Sequence, residues 1–243
     1  MAKPPDGARA PTDSAPVGPS SRAEIDAFLA QVRGLAPKTS AEGRGRLVFA
    51  LDATMSRQPT WDTACRLQAD MFHETAAIGG LDVQLVYFRG LRECRASRWV
   101  GDPRTLATLM ETIDCRGGQT QIRKVLAHVR RECEQAKVAA LVYVGDAMEE
   151  KVDDLCAAAG ALGLLGVPCF MFQEGADEVT ERAYREIARL SRGAYCRFTP
   201  GAAYELAELL RAAAAYAAGG MKALDDLSKR RNAGAIALVA QMK

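Results

Sequence analysis

Runs of apolar residues alternate with amphipathic segments along most of the chain. Short runs rich in β-branched and aromatic residues predict six strands, at 47–51, 83–88, 93–100, 139–144, 167–172 and 194–198. Segments whose apolar residues recur every three or four positions predict helices at 59–78, 102–113, 121–137, 152–164, 179–192 and 202–218. Because nearly continuous apolar strands alternate with helices, the pattern predicts an α/β fold with helices on both faces of a mostly parallel sheet.

The third predicted strand departs from this alternation. Only residues 89–92 separate it from the second strand, and so short a connection requires antiparallel pairing. We therefore predict a Rossmann-like, doubly wound sheet of six strands, mostly parallel, with one short antiparallel edge strand.

The segments outside residues 46–218, the predicted domain, differ in character. Residues 1–19 are rich in Pro, Ser, Gly and Ala, which predicts a disordered tail. Residues 20–45 are predicted to hold an N-terminal helix, opened by the capping box Ser21–Glu24, and a basic linker. Residues 219–243 are predicted to form a C-terminal helical tail, interrupted near residues 232–234, that either packs on the domain or serves as a docking segment.

Composition narrows the class of protein. A net charge of +2 over 243 residues gives no sign of a nucleic-acid-binding surface. Seven cysteines without a CxxC pair, and only two histidines, argue against a disulfide framework or a zinc site, and they favour a reducing, cytoplasmic location. The uncharged stretch 155–172 contains three glycines and a proline, so we predict no membrane span.

Hard oxygen ligands cluster in three segments of the predicted domain. Asp52, Thr54 and Ser56 follow the first strand, Thr120 follows a Gly-Gly pair, and Asp146 follows the fourth strand. Ligands of doubly wound sheets gather outside the carboxyl ends of the strands, so these side chains are expected to lie together. Two carboxylates and three hydroxyls favour Mg²⁺, or Mn²⁺, over zinc.

Each residue also has a simpler structural interpretation. Ser56 or Thr60 could cap the helix that begins near Pro59, and Thr120 could cap the helix that begins at Gln121. Asp146 could accept backbone N–H bonds in its own turn. If these interpretations hold, the domain is a metal-free scaffold.

A third alternative is a Mg²⁺-dependent phosphotransferase or phosphatase with Asp52 as the nucleophile. Haloacid-dehalogenase-like phosphatases carry a second Asp two residues further on as acid and base, and here that position is Thr54. The sequence therefore favours a protein that is not an enzyme.

The three segments together resemble the metal-ion-dependent adhesion site (MIDAS) of von Willebrand factor type A (vWA) domains. That family carries D-x-S-x-S after the first strand, a Thr in a later loop and an Asp after the fourth strand, and the resemblance spans residues 45–218. Thr54 departs from it, since Ser is usual there, and its extra methyl group adds bulk and restricts χ1.

The resemblance also implies roles for these residues and a function. Thr54, Ser56 and Thr120 would bind the ion directly, and Asp52 and Asp146 would act largely through water. The implied function is that of a protein–protein interaction module, in which a Glu or Asp of a protein partner completes the coordination of the ion.

Two further carboxylates lie just beyond Asp146. Glu149 and Glu150 could tune the electric field around the ion, but we interpret them as solvated residues in front of the helix at 152, where negative charge is favourable.

Overall fold

The computed structural model describes residues 43–242, and six strands in this region form one sheet. They are β1 (Gly45–Asp52), β2 (Leu81–Arg89), β3 (Glu93–Val100), β4 (Ala140–Gly145), β5 (Cys169–Glu174) and β6 (Ala194–Phe198). The order across the sheet is β3-β2-β1-β4-β5-β6, with β2 and β3 antiparallel and every other neighbouring pair parallel. The predicted fold class, including the antiparallel edge strand, is confirmed.

Helices pack on both faces of this sheet. They are α1 (Gln58–Thr75), α2 (Pro103–Glu111), α3 (Ile122–Gln135), α4 (Val152–Leu164), α5 (Glu178–Ser191), α6 (Ala203–Lys229) and α7 (Ala233–Gln241), and a 3-10 turn at Met55–Arg57 precedes α1. Helix bounds differ from the sequence prediction by up to three residues except at the C-terminal side of the chain.

The central strand β1 shows why its sequence is continuously apolar. Leu47, Phe49 and Leu51 contribute to the core under α1 and α6, whereas Val48 and Ala50 contribute to the core under α3, α4 and α5. All eight residues of β1 are buried, and Arg46 near its start pairs with Glu132 at 3.2 Å. From Leu47 to Leu51 no position on either face favours a polar side chain until Asp52 at the end of the strand.

The C-terminal segment extends the core. Helix α6 continues past its predicted end at residue 218 and bends at Gly220, which takes a left-handed φ of 65°. Asn232 caps α7 through a 2.7 Å bond from the N–H of Ala235, and Leu224 and Leu238 are fully buried. Of the two alternatives for this tail, the structure therefore shows packing on the domain.

Helix α7 also covers the edge strand β6. The side-chain amide of Gln241 donates to the carbonyl oxygen of Tyr195 at 2.9 Å and accepts from its N–H at 3.0 Å. At Tyr195, the Gln241 side chain thus occupies the backbone hydrogen-bonding positions that a seventh strand would use.

The opposite edge strand, β3, is protected differently. A register shift opposite Gln84–Val86 interrupts its pairing with β2, and Arg95 and Arg98 are exposed on it. Trp99 folds back, donating from Nε1 to Glu132 at 2.8 Å while the Arg46 guanidinium stacks on its ring. Bulges and charges of this kind discourage pairing with another chain.

Several predictions concern the ends of the chain. The predicted disordered tail, the N-terminal helix and most of the linker fall in residues 1–42, which lie outside the described residues. Within residues 43–242, no helix is both long enough and apolar enough to cross a membrane. A cytoplasmic location stays a prediction from the sequence.

Candidate functional site

A cavity of about 230 Å³ lies at the carboxyl ends of β1 and β4. Three loops form its walls, and the lining residues are Asp52, Thr54, Met55, Ser56, Gly117, Gly118, Thr120, Asp146, Ala147 and Glu149. The structure therefore brings all five residues of the sequence-based hypothesis to one place.

The first loop is held between neighbouring strands. Asp52 is 3% exposed and accepts the N–H of Thr54 at 2.8 Å. Ala53 donates to the carbonyl of Phe88 on β2 at 3.0 Å and accepts from the N–H of Arg116 at 2.9 Å. These bonds connect the first loop to the segment that leads into the Gly117–Thr120 loop.

The hydroxyls of the first loop make long contacts with each other and with Asp146, and the Thr54 side chain also bonds to Asp52. Thr54 Oγ1 lies 3.5 Å from Ser56 Oγ, which in turn lies 3.5 Å from Asp146 Oδ2, at the upper limit for a hydrogen bond. Neither Thr54 before the 3-10 turn nor Arg57 before α1 makes a side-chain capping bond. The capping interpretation of Ser56 is wrong, and its oxygen is left with weak partners.

The second and third loops also do not fit the simpler interpretations. Gln121 occupies the N-cap position of α3 and makes no side-chain capping bond, so Thr120 is not the cap of that helix. Within residues 43–242, Asp146 contacts the Ser56 hydroxyl and the Arg57 guanidinium and accepts no backbone N–H.

Glu149 and Glu150 join these two loops, a contact that the sequence did not predict. Glu149 is exposed, as expected of a solvated residue, and Glu150 is half-buried. Glu149 Oε2 accepts from the N–H of Thr120 at 2.8 Å and from its hydroxyl at 3.2 Å. Glu150 accepts the N–H groups of Ile122 and Arg123, the latter at 3.1 Å, and so satisfies donors that the start of α3 leaves free.

A buried ion pair behind the cavity was not predicted from the sequence. Arg57 is 3% exposed, bonds to Glu174 at the end of β5, and places Nη1 3.7 Å from Asp146 Oδ2. Glu174 also accepts from the Thr60 hydroxyl and, at 3.3 Å, from the N–H of Gly201. The signal was available, because Glu174 ends an apolar strand as Asp52 does.

The cavity carries an excess of negative charge. Asp52, Asp146 and Glu149 line it, and Arg57 is the cation that contacts one of these carboxylates within the described residues. Burial raises the pKa of Asp52 to about 6, and the Asp146 carboxylate adds to that rise, whereas the Thr54 N–H opposes it. A cation in the cavity would relieve this repulsion.

The donor set is limited to hard oxygens. Among residues 43–242, no group of three or more His, Cys, Asp or Glu side chains is arranged to hold a metal ion. Any ion here would depend on hydroxyl oxygens as well as on carboxylates, which fits Mg²⁺ or Mn²⁺ better than zinc.

Gly118 keeps the second loop against the β2–β3 turn. A Cβ at this position would lie 2.3 Å from the N atom and 2.4 Å from the O atom of Gly90, whereas a Cβ at Gly117 meets nothing within 4 Å. The N–H of Gln119 donates to the carbonyl of Gly90 at 3.1 Å, which fixes the same contact.

We expect Gly118→Ala to destabilise the protein by about 1–3 kcal/mol, because two backbone segments must separate to admit the methyl group. Gly117→Ala is the matched control, and it should change stability by less than about 0.5 kcal/mol. Urea unfolding of both variants measures the difference, and equal stabilities would show that the loop and the turn are not packed as described.

Comparison with known proteins bears on the fold. No family model matches the chain, and no curated protein matches it in sequence. Solved structures do match: a von Willebrand factor type A protein from Catenulispora acidiphila is similar over 72% of this chain, with 17% identity and a TM-score of 0.60. The chain has the vWA fold. The match spans 43% of the length of the Catenulispora protein.

Two other vWA structures are similar to this chain. The SpRpn10 VWA domain matches 73% of this chain and 97% of its own length, with 10% identity and a TM-score of 0.54. Proximal thread matrix protein 1 from the mussel byssus, solved with a zinc-occupied MIDAS motif, matches 79% of this chain and 52% of its own, with 16% identity and a TM-score of 0.56. At such identities the likeness concerns the vWA fold and not the chemistry of the site.

Proposed function

We propose that this domain is a metal-dependent protein–protein interaction module, with Mg²⁺ or Mn²⁺ held by Asp52, Thr54, Ser56, Thr120 and Asp146. The observation that carries the proposal is the convergence of these five side chains on one cavity, where the three hydroxyls cap no helix. The excess of carboxylates over guanidinium groups supports a bound cation. The vWA fold supports the same reading, since vWA domains generally mediate protein–protein interaction.

The types of ligand suggest which residues contact the ion directly and which act through water. By resemblance to the MIDAS pattern, Thr54, Ser56 and Thr120 bind the ion through their hydroxyls, and Asp52 and Asp146 act largely through water. When bound, the ion supplies an electrophilic centre that few anionic ligands neutralise directly. A Glu or Asp carboxylate of a partner protein then completes the coordination, and the domain acts by binding and not by catalysis.

Calorimetric titration of chelator-treated protein with Mg²⁺ and with Mn²⁺ tests the metal. We expect saturable binding to the wild type and at least about tenfold weaker binding to Asp146→Asn, because that change removes a carboxylate from the cavity while keeping its shape. Asp153→Asn, on the exposed first turn of α4, is the control for a loss of charge nearby. Absence of binding to the wild type would contradict the proposal.

Capture of partner proteins tests the second part of the proposal, which is metal-dependent binding of a protein partner. Immobilised wild-type domain is exposed to a lysate in Mg²⁺ or in EDTA, alongside Asp146→Asn. Proteins retained only by the wild type in Mg²⁺ support the module, and retention that ignores both EDTA and the mutation opposes it. Hydrolysis of a phosphate ester that is lost in Asp52→Asn would favour the phosphatase alternative instead.

A further inference from the structure

The Thr120 hydroxyl has an unusually complete set of hydrogen bonds for a predicted metal ligand. Its oxygen accepts the N–H of Glu149 at 3.1 Å, and its proton is directed to Glu149 Oε2 at 3.2 Å. The same carboxylate oxygen accepts the N–H of Thr120 at 2.8 Å. Three bonds thus join two residues that lie 29 positions apart.

These bonds determine what the hydroxyl can offer to the cavity. A hydroxyl has one proton and two acceptor positions. Here the proton and one acceptor position are used by Glu149, which leaves one acceptor position on an oxygen whose residue lines the cavity. Thr120 can therefore accept a cation there but cannot easily donate to an anion.

The other two hydroxyls of the site have no such partner outside the five site residues. Within residues 43–242, Ser56 makes only 3.5 Å contacts with Thr54 and Asp146, and the Thr54 side chain bonds to Asp52, which is itself a member of the proposed site. Thr120 is the hydroxyl that the protein orients in advance, and Glu149 is the residue that orients it.

We propose that Glu149 is a positioning residue for the metal site: its carboxylate holds the Thr120 hydroxyl proton away from the cavity and makes the oxygen a stronger ligand. The inference rests on the proposed metal function. It follows the general rule that carboxylates hydrogen-bonded to metal ligands fix their orientation and raise their basicity. In this proposal Glu149 acts through Thr120, to which its Oε2 is bonded twice. Direct binding of the ion by the other oxygen, Oε1, is the alternative, since Glu149 lines the cavity, and the double variant described below distinguishes the two.

The test is a double-mutant cycle on Mn²⁺ affinity. The electron paramagnetic resonance signal of free Mn²⁺ measures that affinity for each variant. We expect Glu149→Gln, which keeps an acceptor oxygen but removes the negative charge that strengthens the hydroxyl oxygen as a ligand, to weaken Mn²⁺ binding by about tenfold. Glu149→Ala removes the acceptor as well, and we expect it to weaken binding by up to about 100-fold, the upper end of the range found when such outer partners are mutated. Thr120→Val should weaken it by a similar or larger factor. The double variant should bind no more weakly than Thr120→Val alone, because Glu149 acts through the hydroxyl that valine lacks.

Two controls separate this role from a structural or purely electrostatic one. Asp153→Asn removes the same charge from an exposed position and should leave affinity within about twofold. The melting temperature of Glu149→Gln in EDTA should stay within a few degrees of wild type, because the amide oxygen of glutamine can still accept both the N–H and the hydroxyl of Thr120.

The outcomes are distinguishable. No Mn²⁺ binding by wild type removes the proposed function itself. If wild type binds and Glu149→Gln binds equally well, the positioning role is wrong while the metal site stands. If the losses of the two single variants multiply in the double variant, Glu149 acts directly on the ion, and the inference is overturned in favour of a third acidic ligand.

Discussion

Replacement of Glu174 by alanine is expected to destabilise the protein by about 3–5 kcal/mol, the usual cost of removing one partner of a buried ion pair. Arg57 is 3% exposed and Glu174 8%, so water cannot replace the lost carboxylate. The Thr60 hydroxyl and the N–H of Gly201 would lose their acceptor as well. Chemical denaturation measures the effect.

The matched control is Glu186→Ala, which breaks an arginine ion pair on the surface of α5. Glu186 bonds to Arg189 at 2.8 Å, but its side chain is 45% exposed, and we expect a loss several-fold smaller than that of Glu174→Ala. Similar losses for Glu174→Ala and Glu186→Ala would mean that the buried pair is not what holds this end of the sheet. Replacing Arg57 and Glu174 together by methionine should recover part of the loss, because no charge is then left unpaired in the interior.

Asp52→Asn is expected to stabilise the metal-free protein and to remove its response to metal. The pKa of Asp52 rises from 3.8 to about 6 on folding, which corresponds to about 3 kcal/mol of destabilisation when the carboxylate is ionised. Because the folded pKa is the higher one, this penalty is absent below pH 4, grows between pH 4 and pH 6, and is complete above pH 6. Asparagine stays neutral, and its side-chain oxygen can take the place of Asp52 Oδ1 as the acceptor of the Thr54 N–H.

Melting curves at pH 5 and pH 8 in EDTA measure the first part of this prediction. The melting temperature of Asp52→Asn should exceed that of the wild type by more at pH 8 than at pH 5. In saturating Mg²⁺ at pH 8 the wild type should regain stability by ligand binding, and the variant should not. A variant that is less stable than wild type in EDTA at pH 8 would show that the Asp52 carboxylate is stabilising as it stands.

Much of the site could be predicted because parallel strands share an edge. Asp52 and Asp146 each end an apolar strand, and β1 and β4 are neighbours, so their carboxylates meet. Thr120 ends no strand, and it was predicted from its place after the Gly-Gly pair and from the resemblance to vWA domains. The contact of Glu149 was missed because its partner is 29 residues away, and no local spacing encodes such a contact.

The fold also has features that local sequence predicts and features that depend on contacts between distant residues. The strands are apolar runs of the right length, and their alternation with helices determined the fold class. The end of α6 was not predicted, because Gly219 and Gly220 are typical of a helix terminus. The helix resumes after Gly220 bends the chain, since Leu224 and Leu227 are buried in the core under α1.

The Gln241 amide that pairs with Tyr195 has a consequence for how this protein can be recognised. A partner that recognises sheets by adding a strand finds no free backbone groups at Tyr195, and at the other border it meets a bulge and exposed arginines. Strand addition is therefore disfavoured at both borders of the sheet. Under the proposed function, Gln241 would thus favour partners that bind at the cavity beside Asp52 over partners that add a strand to the sheet.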